Sequence, residues 1–277
     1  MILYKYVSFE AGLKILETGA LGFSDLEDFN DPFEATALGL TESDISQTVR
    51  FRACRNRLSR KYVVLSLTRA PLNPLMWSHY GDSYKGMVIG IDTIKAGFEN
   101  AEQYIIPAHR GEIIYVNTAP KSTNEISHEG LMAIGDSSIM NWQKYERFLK
   151  HAFLYKSLCW AYEEEVRIVK NISSANFTYH YSSKKEQIID GQAWKRVQLQ
   201  TRPIYLHEIP KEAFVEVYIG ENCYRDQRKK QQNKTQRPVD SVNSIDVLKA
   251  HCRSSKAVLH RVDVDIESWS LRKHEII

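Results

Sequence analysis

The chain has 277 residues, which is enough for one large domain or two small ones with a sizeable hydrophobic core. Hydrophobic residues make up 43% of it and charged residues 26%, a composition typical of an ordinary globular protein and not of a disordered or fibrous one. The net charge of +3 is compatible with nucleic acid or phosphorylated ligands, but it is too small to require them.

Several other classes of protein are excluded by what the sequence lacks. No apolar run reaches the roughly 18 residues of a membrane span, and no basic region followed by an apolar region marks a secretory signal at the N-terminus. The four cysteines are widely spaced without a Cys-x-x-Cys pair, which argues against a zinc ribbon and against a disulfide scaffold. These features predict a cytoplasmic protein with no membrane partner.

The first part of the chain alternates short extended segments with a helix. Residues 2–7 are rich in Tyr and Val and predict a strand, and residues 21–24 predict a second, shorter one. Between them, Ser8 is a typical N-cap and Gly19 is a typical stop signal, so a helix is expected over residues 8–18.

The middle of the chain supplies the predicted inner strands. Helical spacing over residues 40–60 ends in a basic run, and the largely apolar residues 62–68 that follow predict a central strand. Two more strands are expected at residues 86–91 and 112–116. Residues 72–84 predict a loop with a short helix.

The rest of the chain begins with a predicted amphipathic helix over residues 138–158, which leads directly into a strand over residues 160–169. Three further strands are expected at residues 205–210, 215–220 and 257–266, the first two joined by a turn.

Residues 224–240 are hydrophilic and predict a surface helix that breaks near Pro238. The sequence shows no internal repeat, no low-complexity linker and no sharp domain boundary. We therefore expect a single α+β domain over residues 1–277, with a mixed or split β-sheet and flanking helices.

The strand predicted over residues 160–169 carries the most informative charges. Its period of two places Glu163, Glu165 and Arg167 on one face. Two neighbouring carboxylates raise one another's pKa, which suits acid–base chemistry, and a carboxylate also stabilises a cationic transition state. The alternative is a solvated strand face on which these charges simply pair.

A second candidate cluster combines aromatic and imidazole groups. Trp77, His79 and Tyr80 lie within four residues, although the helical spacing of Trp77 and Tyr80 also fits packing in a core. Asp31 and Glu34 belong to a segment whose Asn, Asp and Pro residues are typical of a tight turn.

Three common catalytic or cofactor-binding signatures are absent from the sequence. It contains no phosphate-binding glycine loop, no Gly-x-Ser-x-Gly elbow and no His-Glu-x-x-His, so no metal is expected. The basic residues 225–237 are of a type that contacts phosphates, but a solvated loop is the favoured interpretation.

Four strings of residues together resemble an uncharacterised bacterial family, a domain of unknown function. The resemblance covers roughly residues 1–170 and implies a protein linked to phage defence or to a toxin system. The strings are LYKY at 3–6, FNDPFE at 29–34, LMWSHYGD at 75–82 with KG at 85–86, and YKS at 155–157 with WAYEEEVRI at 160–168.

A more distant resemblance connects the chain to ADP-ribosyltransferase-like proteins, which implies that fold and NAD as a substrate. On this mapping Tyr4 or Lys5 stands at the first motif and Ser66 lies on the strand of the second. Glu163 and Glu165 resemble the Glu-x-Glu of the third motif. The resemblance then implies that Glu165 is the catalytic carboxylate and that Glu163 orients or activates the acceptor, a protein or a nucleic acid.

Three functions remain open from the sequence. The first is an NAD-consuming ADP-ribosyltransferase-like effector with Glu165 as the catalytic group. The second is a non-catalytic module whose face binds a nucleotide or nucleic acid. The third is an interaction protein that acts through residues 225–237. The residues expected to contact the nucleotide are Tyr4, Lys5, Ser66, Trp77, His79, Tyr80 and Arg167.

Overall fold

The computed structural model describes residues 1–31, 33–34, 47–118, 142–173, 185–199, 202–223 and 244–276. These residues form thirteen strands and five α-helices. The strands are β1 Ile2–Val7, β2 Ala20–Phe23, β3 Tyr62–Thr68, β4 Met87–Asp92, β5 Ile114–Val116, β6 Tyr155–Ser157, β7 Glu165–Asn171, β8 Glu186–Ile189, β9 Gln192–Leu199, β10 Arg202–Glu208, β11 Phe214–Gly220, β12 Val258–Asp265 and β13 Ser270–Glu275. The helices are α1 Phe9–Thr18, α2 Gln47–Lys61, α3 Pro74–His79, α4 Trp142–Phe153 and α5 Ser244–Ser255.

The largest unit is a seven-stranded sheet with the order β13-β12-β11-β4-β1-β3-β7. The pair β11–β12 is parallel and the other pairs are antiparallel, so the sheet is mixed. A second sheet has four antiparallel strands in the order β2-β10-β9-β8, and β5 and β6 form a short parallel pair. The α+β fold class with a mixed sheet is therefore confirmed.

Hydrophobic side chains fill the space between the two large sheets. Leu3 and Leu65 from the seven-stranded sheet belong to the same buried cluster as Phe23 and Trp194 from the four-stranded sheet. The rings of Phe23 and Trp194 meet edge to face with centroids 4.9 Å apart, a preferred aromatic geometry. This apolar layer fixes how the two sheets are placed against each other.

Two further clusters cover the other side of the large sheet. At the β3–β7 end, Leu58 of α2 and Phe153 of α4 pack with Val169 of β7. Nearer the opposite end, Trp77 of α3 packs with Tyr218 of β11. None of the helices in the described ranges is long and apolar enough to cross a membrane.

The two capping residues predicted for the first helix lie at the ends of α1. The side chain of Ser8 accepts a hydrogen bond from the backbone amide of Ala11, which satisfies one of the free donors at the start of α1. Gly19 has φ +78 at the other end, and a Cβ there would lie 2.8 Å from the carbonyl oxygen of Ile209. A glycine is therefore required both by the left-handed turn and by the close approach of the chain.

The strand expected over residues 160–169 is wrong in its first half. Residues Leu158–Glu163 form a 3-10 helix, Glu164 has a left-handed φ of +43, and β7 begins at Glu165. The helix expected over residues 138–158 is too long at its C-terminal end, because α4 stops at Phe153 and the next residues pair with β5 as β6. Contacts that are distant in sequence override the local period at both places, namely the hydrogen bond from Thr68 to the Glu163 carbonyl and the pairing of β6 with β5.

Other elements follow the sequence more closely, and some were not foreseen. Strands β3, β4, β10, β11 and β12 and the short helix α3 lie where they were expected, with ends that differ by a few residues. The strands β8, β9 and β13 and the helix α5 were not predicted from the sequence. The predicted surface helix over 224–240 and the basic residues 225–237 lie outside the described residues.

Candidate functional site

The two sheets separate along one edge of β3, and a cavity of about 290 Å³ lies at the split. At Val64 this edge bonds to the residue that follows β2, whereas four residues later it pairs with Tyr4 of β1. Ser66 lies between the two pairings. Its backbone carbonyl accepts a hydrogen bond from the Lys5 ammonium at 3.1 Å, so a side chain replaces the missing strand partner.

The other edge of β3 supplies the charged wall of the cavity. Here β3 pairs with β7 over its whole length, with Ser66 opposite Arg167 and Thr68 opposite Glu165. Directly opposed residues project from the same face of a sheet. Ser66, Glu165 and Arg167 therefore project into the cavity from one face of the sheet, and the side chain of Lys5 reaches the lining from β1 beside the Ser66 carbonyl.

Arg167 is the centre of a buried ion-pair network and has no exposed surface. Its guanidinium donates to both oxygens of Glu165, at 2.9 and 3.1 Å. It also donates to both oxygens of Glu34, at 2.8 and 2.5 Å, and to the Phe153 carbonyl at 2.7 Å. Bidentate pairing of this kind compensates for the cost of burying the charge.

Lys156 joins the two glutamates of the predicted motif. Its ammonium lies 2.5 Å from Oε2 of Glu163 and 3.0 Å from Oε2 of Glu165. The Tyr80 hydroxyl donates to Oε1 of Glu163 at 2.7 Å. Glu163 is thus held by one hydroxyl and one ammonium, whereas Glu165 is held by a guanidinium and the same ammonium.

Burial and neighbouring charges shift the pKa values of three groups that line the cavity. Burial alone would raise the pKa of Glu165, but the charges of Arg167 and Lys156 outweigh it and lower that pKa to about 2. Burial lowers the pKa of Lys5 to about 8, although the Glu165 charge opposes the shift. Burial and the hydrogen bond to a carboxylate raise the pKa of Tyr80 far above its ordinary value. Near neutral pH the carboxyl group of Glu165 is ionised and Lys5 is close to its titration range.

Glu163 reaches the cavity from the 3-10 helix Leu158–Glu163 and not from a strand. The hydroxyl of Thr68 donates to the Glu163 carbonyl at 2.5 Å, and the backbone amide of Glu164 donates to the Ala161 carbonyl at 3.2 Å. These bonds hold the turn that aims Glu163 toward Lys156. The expected juxtaposition of Glu163 and Glu165 therefore occurs, but by a different local structure.

Seven of the nine predicted site residues line the cavity, namely Tyr4, Lys5, Ser66, Tyr80, Glu163, Glu165 and Arg167. Trp77 and His79 do not line it. Trp77 is fully buried, donates from its indole nitrogen to the Pro71 carbonyl and packs edge to face on Tyr6. His79 is exposed, with its ring beside Tyr80 and Tyr162. Trp77 therefore packs in the core, and His79 lies at the surface.

Several lining residues were missed by the sequence-based prediction of the site. Lys156 belongs to the YKS string of the family resemblance, so that string was the available signal. Glu34 and Asp31 were interpreted as parts of a turn, and Arg202 gave no signal because it lies on β10 of the second sheet. These residues come together only through contacts that are distant in sequence, such as the 133-residue separation of Glu34 from Arg167.

The chemistry of the lining favours a small polar ligand. Four cationic and five carboxylate side chains line the cavity, together with the aromatic rings of Phe29, Tyr80 and Trp160. No group of three or more potential metal-ligand side chains occurs in the part of the chain that the structure describes. The cavity therefore offers hydrogen-bond donors, acceptors and flat apolar faces to an organic ligand.

Comparison with known families identifies one match. Residues 76–168 match the model of a family described as a protein of unknown function, DUF2971. This confirms the expected resemblance to an uncharacterised domain family over that range, which contains Tyr80, Lys156, Glu163, Glu165 and Arg167 of the cavity. Neither the comparison with curated proteins nor the comparison with solved structures gives a match.

Proposed function

We propose that the cavity binds NAD through the nicotinamide-riboside end of the molecule. The observation that carries this proposal is the convergence of Lys5, Ser66 and Glu165 on one cavity from three adjacent strands. These are the strands to which the resemblance to ADP-ribosyltransferase-like proteins assigns the contacts with NAD. Their adjacency supports the mapping, because the resemblance placed them only by their order along the chain.

The size of the cavity limits which part of NAD it takes. Ligand pockets span about 300–1,000 Å³, and this cavity of about 290 Å³ is at the small end. It suits a nucleoside-sized group and is too small for a whole dinucleotide. The remaining phosphates and adenosine would extend from the cavity past Arg202, an exposed cation in its lining.

The charge and shape of the lining favour the nicotinamide end over the adenosine end. Carboxylates outnumber cations by five to four in the lining, which suits the cationic ring of oxidised NAD. The rings of Phe29, Tyr80 and Trp160 offer faces on which a planar cation packs. The hydroxyls of the ribose both donate and accept hydrogen bonds. They therefore suit a wall that contains both carboxylate acceptors and ammonium donors.

The test compares ligands that differ only at the nicotinamide ring. Calorimetric titration should show that oxidised NAD binds more tightly than NADH, whose ring is neutral, by about three- to thirtyfold. ADP-ribose, which lacks the ring, should bind more weakly than either. If NADH or ADP-ribose binds as tightly as oxidised NAD, the ring does not occupy the cavity and the proposal is wrong.

A second candidate function is cleavage of the bound NAD, for which the contacts of Glu163 argue. Its carboxylate lines the cavity and is held by Tyr80 and Lys156, so it does not share the guanidinium that neutralises Glu165. A carboxylate in that position stabilises the positive charge that develops on the ribose as the bond to nicotinamide breaks. Between the two glutamates, the geometry favours Glu163 for this role.

In the simplest form of the reaction, water is the acceptor. The bond between the ribose carbon and the ring nitrogen breaks, and its electron pair leaves with nicotinamide, which becomes neutral. A water oxygen then bonds to the ribose carbon, and the water's extra proton passes to solvent. Transfer to a protein or nucleic acid replaces the water by a nucleophile of that acceptor. Such consumption of NAD would suit the effector role in phage defence or a toxin system that the resemblances imply.

Release of nicotinamide separates binding from cleavage. Chromatography should detect nicotinamide after incubation of the wild type with NAD, and Glu163→Gln should lower the rate at least about a hundredfold. The same substitution should change the dissociation constant of NAD by no more than a few-fold. Intact NAD after many hours with the wild type would exclude cleavage and leave the binding proposal standing.

A further inference from the structure

Asp31 is a buried carboxylate whose hydrogen bonding is incomplete. It is 2% exposed and lines the cavity. Its Oδ1 accepts a hydrogen bond from the Phe33 backbone amide at 2.9 Å, but its Oδ2 has no partner. A buried charged oxygen without a partner costs free energy, so native proteins rarely keep one without a functional reason.

Asp31 takes part in none of the ion pairs that the described residues form in the cavity. Arg167 pairs with Glu34 and Glu165, and Lys156 pairs with Glu163 as well as with Glu165. Asp28, three residues before Asp31, also lines the cavity and also has an oxygen without a partner, Oδ2. The charge of Arg202 acts on Asp28, so Asp31 is the lining carboxylate that has no ion-pair partner among the described residues.

We propose that Asp31, with Asp28 as a second acceptor, forms a subsite for the protonated nitrogen of an amine or guanidinium ligand. A positively charged N–H group supplies the hydrogen bond that Oδ2 lacks. Its charge also offsets the excess of carboxylates over cations in the lining. A metal ion would need more ligands, and no group of three or more potential metal ligands occurs among the described residues. The subsite lies in the cavity that is proposed for the nicotinamide end of NAD, and it is tested with ligands that are not nucleotides.

The test uses two ligands of the same shape and different charge, n-butylguanidinium and the neutral n-butylurea. Ligand-observed NMR titration should show that the wild type binds the guanidinium at least about tenfold more tightly, since a hydrogen bond to a charged group contributes about 1.5–3 kcal/mol. Asp31→Asn keeps the shape of the side chain and should abolish this preference. The matched control Asp246→Asn changes an exposed aspartate of α5 and should preserve it.

Thermal unfolding of the ligand-free protein separates a binding role from a structural one. Asp31→Asn retains the oxygen that accepts from Phe33 and removes the unpaired charge, so its melting temperature should equal or exceed that of the wild type. If Asp31→Asn fails to fold, Asp28→Asn replaces it and should weaken guanidinium binding at least about threefold.

Equal affinity of the wild type for guanidinium and urea would overturn the proposal, as would unchanged guanidinium binding by the aspartate variants. Neither result would affect the comparison of NAD with NADH.

Discussion

The Arg167 guanidinium donates to both oxygens of Glu165, two residues earlier on the same strand, at 2.9 and 3.1 Å. The motif carboxylate is therefore ion-paired before any ligand arrives, and Lys156 adds a second cation to it. Glu165 is thus paired with two cations, whereas Glu163 is paired with Lys156 alone and accepts from the Tyr80 hydroxyl.

Removal of a buried partner of Arg167 should be costly. We expect Glu34→Gln to lower the free energy of unfolding by about 3–5 kcal/mol, because it leaves a buried guanidinium without one of its two carboxylates. Glu112→Gln is the matched control, since Glu112 pairs with Arg69 at the surface and should change stability by less than about 1 kcal/mol. Urea unfolding measures both, and equal costs would contradict the prediction.

Stability at acid pH should depend on Glu165. Its folded pKa of about 2 lies below the ordinary value of 4.5, so its contribution is fully present above pH 4.5 and is lost as pH falls toward 2. The contribution is on the order of 3 kcal/mol. The difference in unfolding free energy between the wild type and Glu165→Gln should shrink over that range. Parallel pH profiles of the two proteins would show that Glu165 is not the titrating group.

Lys5 should also make stability rise with pH, but in the alkaline range. Its folded pKa of about 8 lies below the ordinary 10.5, so between these values the folded protein loses a proton that the unfolded chain keeps. The wild type should therefore gain stability relative to Lys5→Met as pH rises from about 8 to about 10.5, by roughly 3 kcal/mol at most. Thermal unfolding of both proteins at several pH values measures the gain. A constant difference between them would mean that the Lys5 amine keeps its ordinary pKa.

The site also depends on a close backbone contact at Gly111. A Cβ at this position would lie 1.9 Å from the carbonyl oxygen of Arg167, and the Gly111 carbonyl accepts from the Arg167 amide at 2.8 Å. Gly111→Ala should therefore displace β7 and cost about 1–3 kcal/mol or more. Gly97→Ala meets no atom within 4 Å but has φ +76, so it should cost about 1 kcal/mol through its backbone conformation alone. A smaller cost at Gly111 than at Gly97 would argue against the contact.

Local sequence patterns predicted an element correctly where the local preference of the backbone and the burial of the side chains favour the same structure. The apolar run at residues 62–68 and the caps Ser8 and Gly19 correctly predicted β3 and α1, because backbone preference and burial agree there. The period failed at Leu158–Glu163, where aromatic and charged residues alternate as in a strand but form a 3-10 helix. Hydrogen bonds to distant residues such as Thr68 determine that turn, and a single sequence does not display them.

The sequence by itself determined the mixed α+β class, the positions of most strands and the carboxylates Glu163 and Glu165, since these depend on periodicity and residue type. Only the tertiary structure decided what those carboxylates contact, because Arg167 and Lys156 lie within 2.5–3.1 Å of them only in the folded chain. It also placed the unpaired Asp31 in the same cavity. Electrostatic interactions act through space, so the order of residues along the chain identifies the charges but not their partners.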